Sequence, residues 1–205
     1  MANVQHNALT GTDLHEPKGV AAASEFMIYK ADGAGSGAWV LHPTGWGHYA
    51  DSKVYPTTSQ SITSTAAKLE CDGAGATSSS VYLPPEIRGS GELWDTTNDK
   101  ITPVAVGDSY NVRVQMNVAA KTGSPTELTF QLDIGGTGSP STVIMERYIS
   151  LSKTPPYLVS VSFPIFCLST FVTNGGTIFV ATDSNSIDVD QVQLFIDRNH
   201  AGDAW

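Results

Sequence analysis

Charge is scarce in this chain of 205 residues: Lys, Arg, Asp and Glu together make up 15% of it. Long solvent-exposed helices laced by Glu–Lys pairs need more than that, so a helical body is not expected. The 11 basic residues stand singly against 20 acidic ones, for a formal charge of −9. A surface that tracks phosphates needs clustered Lys and Arg, which excludes nucleic acid as a partner; the acidity serves solubility. Long apolar runs are missing too. None approaches the ~20 residues that span a bilayer, so no membrane partner is expected. The opening MANVQHNALTG has neither the basic nor the apolar region of a secretory leader. Cysteine is limited to Cys71 and Cys167, outside any CxxC pattern. Two buried free thiols are the expectation, with a bridge between facing sheets as the alternative.

The usual catalytic signatures are also missing. No GxSxG elbow, no GxxxxGK[ST] loop and no GxGxxG followed by a helix occurs. The five histidines (His6, His15, His42, His48 and His200) form no HExxH. His42 and His48 flank a Gly/Trp loop and read as solvated or packing side chains, with a metal pair as the lesser alternative. Asp183, Asp188 and Asp190 in DSNSIDVD resemble a calcium loop but lack its glycine and terminal glutamate, so a turn followed by the wet face of a strand is expected. Glu70, Glu86 and Glu92 lie near loops and read as surface acids, since carboxylate pairs of glycoside hydrolysis meet only in space. The expectation is a non-enzyme with no cofactor and no metal.

What is present is strand chemistry. Hydrophobic residues reach 40%, enough for a core, and 19 Gly and 11 Pro punctuate the chain. In SYNVRVQMNV, Tyr110, Val112, Val114, Met116 and Val118 share one face, and Asn111, Arg113, Gln115 and Asn117 the other. TELTFQLDI repeats this, with Leu128, Phe130, Leu132 and Ile134 inward and Glu127, Thr129, Gln131 and Asp133 outward. Each is a half-wet strand of an antiparallel sheet, and the short KTGSPT between them predicts a hairpin. Further strands are read in SITSTAAKLEC, SSVYL, ELWD with KITPV, TVIMERYISL, YLVSVSFPIF, TIFVAT and DQVQLFID. Apolar parity switches between Ile187/Val189 and Val192/Leu194/Ile196, which predicts a bulge near Asp190-Gln191. Many short strands with no amphipathic helix between them predict an all-β, jelly-roll-like antiparallel β-sandwich.

The first 24 residues differ. They show no period-2 pattern, carry few large apolar side chains and are broken by Pro17 and Gly19, so they are read as an extended arm ordered by a partner or else disordered. Residues 25–42 predict a β-hairpin turning through ADGAGSG, and residues 42–58 an irregular joint. The predicted division is an attachment unit over 1–50 and a sandwich head over 51–205. Within the head, SFPIFCLSTFV places Phe163, Ile165 and Cys167 on one parity and Phe166 and Leu168 on the other. A strand apolar on both faces needs cover on both, so Phe163, Ile165, Phe166 and Leu168 are read as a subunit interface, with cover by the chain's own loops as the alternative. Trp39, Trp46, Tyr49 and Tyr55 crowd one region, with Trp94 further on; packing is the first reading and a carbohydrate platform the second.

The segments HNALTGTDLHEPKGVAAAS (6–24) and IYKADGAGSGAW (28–39) resemble the N-terminal region of tailed-bacteriophage virion proteins, in which an LHEPKG stretch and a Gly-rich hairpin precede a trimeric jelly-roll head. GELWDTTNDKITP (91–103) is similar to tumour-necrosis-factor-like phage jelly rolls in general style only. The resemblance implies a homotrimeric capsid decoration (cement or head-fibre) protein located on the virion and made in the host cytoplasm. It further implies that Leu14, His15, Glu16, Pro17, Lys18 and Gly19 belong to the arm, gripping the major capsid protein or another virion protein. Three weak attachments per trimer would then act together. The alternative it leaves open is a tail or baseplate fibre, a receptor-binding protein recognising host-surface glycan.

Overall fold

The computed structural model describes residues 27–31, 37–151 and 156–202. The chain divides into two compact units between His42 and Pro43. In the first, β1 (Met27–Ala31) and β2 (Gly37–Leu41) pair antiparallel with Ile28 opposite Val40 and Tyr29 opposite Trp39. The Tyr29 and Trp39 rings meet edge-on at 5.4 Å. The predicted hairpin is therefore present; its turn and the arm residues Leu14 to Gly19 lie outside the described residues.

The second unit carries β3 (Gly45–Ala50), β4 (Gln60–Ile62), β5 (Ala67–Lys68), β6 (Trp94–Asp95), β7 (Lys100–Ile101), β8 (Ser109–Thr122), β9 (Glu127–Asp133), β10 (Val143–Ser150), β11 (Tyr157–Phe166), α1 (Ser169–Asn174), β12 (Thr177–Thr182) and β13 (Ser186–His200). One sheet has the order β11-β8-β13-β3, with β4 also on β13, and the other β10-β9-β12-β5. The eight principal strands pair from the outside in: β3 with β13, β5 with β12, β8 with β11, β9 with β10, all antiparallel. One long hairpin folded over itself gives this nesting, which is the jelly roll. The chain is thus an all-β, jelly-roll antiparallel sandwich.

The alternation read from sequence sets the core. Tyr110, Val112, Val114, Met116 and Val118 of β8 are all buried, as are Leu128, Phe130 and Leu132 of β9. Facing residues across the two sheets form one apolar cluster, each fully buried side chain contributing roughly 1.5–3 kcal/mol. The bulge is where parity placed it: register shifts between Asp190 and Gln193, and Gln191 sits at φ 49°.

Several expectations fail for physical reasons. β8 and β9 are not a hairpin, since β8 pairs with β11 and β13 and β9 with β10 and β12. Two half-wet strands can share a sheet or face each other across the core, and alternation is the same in both cases. Asp133 points inward at the end of β9 because it caps the next loop, accepting the backbone N–H groups of Gly135, Ser141 and Thr142. The stretch 42–58 is not all joint, because β3 lies within it and belongs to the sandwich. The head therefore starts near residue 43 rather than 51. Gly45 and Gly47 look like turn residues but serve close approach: a Cβ on Gly45 would lie 2.5 Å from the Pro84 nitrogen and one on Gly47 2.6 Å from the Tyr49 hydroxyl. SSVYL is no strand of either sheet, and residues 169–174 form a short helix that parity did not foresee.

Candidate functional site

The two edges of the sandwich are built differently. At the edge formed by β3, the segment 75–82 bonds to the strand: Trp46 N–H donates to the Tyr82 carbonyl, His48 N–H to Ser79 and Ser79 N–H to His48. This segment belongs to a long connection between β5 and β8 whose only regular structure is the two-residue pair β6–β7. Connections of that length inside a compact domain are uncommon and usually functional.

Buried polar groups anchor it. The guanidinium of Arg198 and the carboxylate of Asp108 are fully buried and meet at 2.7 Å, and the other guanidinium nitrogen reaches Glu86 at 3.0 Å. Asp108 also accepts from Gly202 N–H (2.9 Å), Tyr110 Oη (2.8 Å) and Ala105 N–H (2.9 Å). Burial alone would raise the Asp108 carboxyl, but the bonds from Gly202, Arg198, Tyr110 and Ala105 hold it below the usual carboxylate range. Burial pushes the Tyr110 phenol upward, so it stays a donor. At the other end of the segment, Tyr49 Oη donates to Glu92 (2.8 Å) and accepts from Leu93 N–H (2.8 Å), while the Trp94 indole N–H donates to the Cys71 carbonyl (2.9 Å).

Between this segment and β3 lies a cleft of about 310 Å³. The buried Tyr49 and Trp94 close it from below, and Ser78, Ser79, Ser80, Asp72, Glu92, Thr96 and His48 complete its lining. Sequence reading had named Tyr49, Trp94, His48 and Glu92 singly; it had no means of joining them, and it passed over Asp72, Thr96 and the serine run. The one available signal was the length of the connection.

At the opposite edge no described segment covers β11. β11 turns Phe163 and Ile165 into the sandwich core, and Cys167 just beyond it points the same way. Phe166 and Leu168 are 61% and 59% exposed, and Leu158, at the far end of β11, is 57% exposed, with Ser160, Ser162 and Pro164 between on the same face. The four expected interface residues therefore split: Phe163 and Ile165 are spent on the chain's own core, because their parity faces the second sheet, and only Phe166 and Leu168 stand free. Val143, Ile144 and Tyr148 of β10, the edge strand of the other sheet, are exposed as well. On the outer face of the β11-β8-β13-β3 sheet, Tyr82 stacks on Trp46 (4.9 Å), Trp46 packs against Phe195 (5.3 Å), and Arg113 lies over the Phe195 ring (5.5 Å).

The remaining candidates are engaged separately. Asp183 accepts from Thr126, Asp188 pairs with Lys121 and Asp190 accepts from Tyr55 N–H, so they do not converge as a calcium loop. Glu70 pairs with Lys53 at 2.5 Å. Among the described residues no three His, Cys, Asp or Glu side chains come together to hold a metal, and no helix is long and apolar enough to cross a membrane. Cys71 and Cys167 are free and buried. Burial pushes both thiols up to about 12, which keeps them protonated and unreactive near neutral pH.

What the described residues define is a jelly-roll module. No family model matches the chain and no curated protein matches it in sequence. Three solved structures are similar in overall shape. The Eiger TNF of S. frugiperda shares 12% identity at a TM-score of 0.45, over 79% of this chain and 96% of that one. PRD1 vertex protein P5 shares 13% at 0.42, over 87% and 84%, and the Bacillus endospore appendage pilus protein 11% at 0.37, over 77% and 89%. Likenesses this distant carry no information about activity, and the fold assignment stands on the strand order above.

Proposed function

We propose that the chain is a homotrimeric decoration protein of a phage capsid, held on the major capsid protein by its N-terminal segment and projecting the jelly-roll head outward. The observation that carries this reading is the asymmetry of the sandwich edges. One edge is closed by the chain's own backbone, whereas among the described residues β11 at the other exposes Leu158 at one end and Phe166 and Leu168 at the other, with Ser160, Ser162 and Pro164 between them, apolar side chains suited to cover by a second copy. The resemblance of residues 6–24 and 28–39 to tailed-phage virion proteins supports the attachment role of Leu14, His15, Glu16, Pro17, Lys18 and Gly19. No catalytic part belongs to this reading.

Counting copies per particle tests it. Hundreds of copies on the head support decoration, and a handful at the tail would replace it with the receptor-binding reading, which the polar cleft favours. Chains lacking residues 1–24, mixed with undecorated capsids, should fail to bind; undiminished binding would remove the arm from the account.

A further inference from the structure

We propose that the cleft beside β3 binds a single neutral sugar ring, such as the terminal residue of a surface glycan. The inference stands whether the head sits on a capsid or a tail. Its first ground is charge. Asp72 and Glu92 line the cleft and no Lys or Arg does, so the site repels phosphates and acidic sugars and favours a neutral, donor-rich ligand.

Unused hydrogen-bonding capacity is the second ground. Tyr49 Oη occupies one oxygen of Glu92, leaving the other to accept. Asp72 is held by Ser52 and by Ala74 N–H, which fixes its orientation without filling its lone pairs. Bonds from Ser52 and Ala74 outweigh burial and hold its carboxyl low, so it is ionised and acceptor-only. Among the described residues the hydroxyls of Ser79, Ser80 and Thr96 have no hydrogen-bond partner, and a hydroxyl can both give and receive. Fixed carboxylate acceptors beside free hydroxyls suit adjacent hydroxyl groups on a ring.

Shape is the third. The floor is closed by Tyr49 and Trp94, only 5% and 1% exposed, so the ring is held by the polar lining of the cleft rather than by aromatic stacking. At about 310 Å³ the cleft lies at the small end of ligand pockets, which fits one ring rather than a chain of them. Two other cavities among the described residues fit less well. One, against Tyr55 and Leu158, opens on the surface proposed for subunit contact, and the other is lined by Lys53, already paired with Glu70.

Saturation-transfer NMR on the full chain tests this, with glucose, galactose, mannose and N-acetylglucosamine as neutral probes and N-acetylneuraminic and glucuronic acids as anionic ones. At least one neutral sugar should receive saturation, and both acids none. Glu92→Gln keeps an acceptor for Tyr49 but removes the charge, and it should weaken binding about tenfold. Thr96→Val, at an exposed position, should weaken it with no change in melting temperature. Silence from every neutral sugar, equal transfer to the acids, or an unchanged affinity in both variants would overturn the proposal. None of these outcomes depends on copy number or on self-association, so the two proposals fail separately.

Discussion

The two edges of this sandwich solve the same problem in opposite ways. A jelly roll that does not close completely leaves strand edges and apolar side chains at its margins. On the β3 side the chain supplies its own cover, a long segment locked by Arg198, Asp108 and Glu86 at one end and by Tyr49, Glu92 and Trp94 at the other. On the β11 side the described residues supply none, and Leu158, Phe166 and Leu168 are exposed among them. The difference teaches that exposure here is positional. A chain that devotes dozens of residues to one margin leaves the apolar side chains of the other exposed among the described residues.

Substitutions that should behave alike if the edges were equivalent can break that contrast. The largest effect is expected from Phe163→Asp, which places a carboxylate in the core at a cost of several kcal/mol and should leave the chain unfolded by circular dichroism. Its neighbour on the opposite parity, Phe166, should tolerate the same change without unfolding. If both variants unfold, the β11 edge is core after all.

Next in size is the lock on the covered edge. Asp108→Asn leaves the fully buried Arg198 with only the part-exposed Glu86 as a charge partner and should cost about 3 kcal/mol in denaturant unfolding. The pH dependence has a definite sign. The folded-state pKa of Asp108 is depressed, so its contribution is complete above about pH 4, the ordinary unfolded value, and is lost as pH falls through the lower folded value. The variant should show a shallower loss of stability in acid than the parent; equal slopes would remove Asp108 from the lock.

Phe166→Asp comes third. At an exposed position the change in unfolding free energy should stay within about 0.5 kcal/mol, while self-association falls. The smallest effect belongs to Asp51, whose carboxyl burial raises despite an N–H donated by Asp72. Because its folded pKa is raised, ionisation opposes folding at neutral pH. Asp51→Asn keeps the acceptor oxygen and should leave the melting temperature unchanged or slightly higher; a clear drop would show that the charge is needed.

Much of this was legible in the sequence. Parity along β8 and β9 fixed which side chains enter the core, and the parity switch at Asp190-Gln191 located the bulge, because a one-residue insertion is the only local way to keep both halves of β13 buried on one face. Pairing was less legible: the same alternation serves a hairpin or two facing sheets, which is why β8 and β9 were joined wrongly. β3 was missed because its glycines serve close backbone approach, indistinguishable in sequence from turn glycines. Phe163 and Phe166 could not be told apart in sequence, since they carry the same chemistry and only the identity of the facing sheet separates the core face from the exposed one. The cleft was invisible because its polar residues come from β3 and from three separated parts of one irregular segment, and no spacing rule connects them.

Sedimentation equilibrium of the full chain beside Phe166→Asp tests the central claim most directly. The account predicts three chain masses for the parent and a shift to one for the folded variant. A parent that stays monomeric at all concentrations, or a variant that remains trimeric, would contradict it.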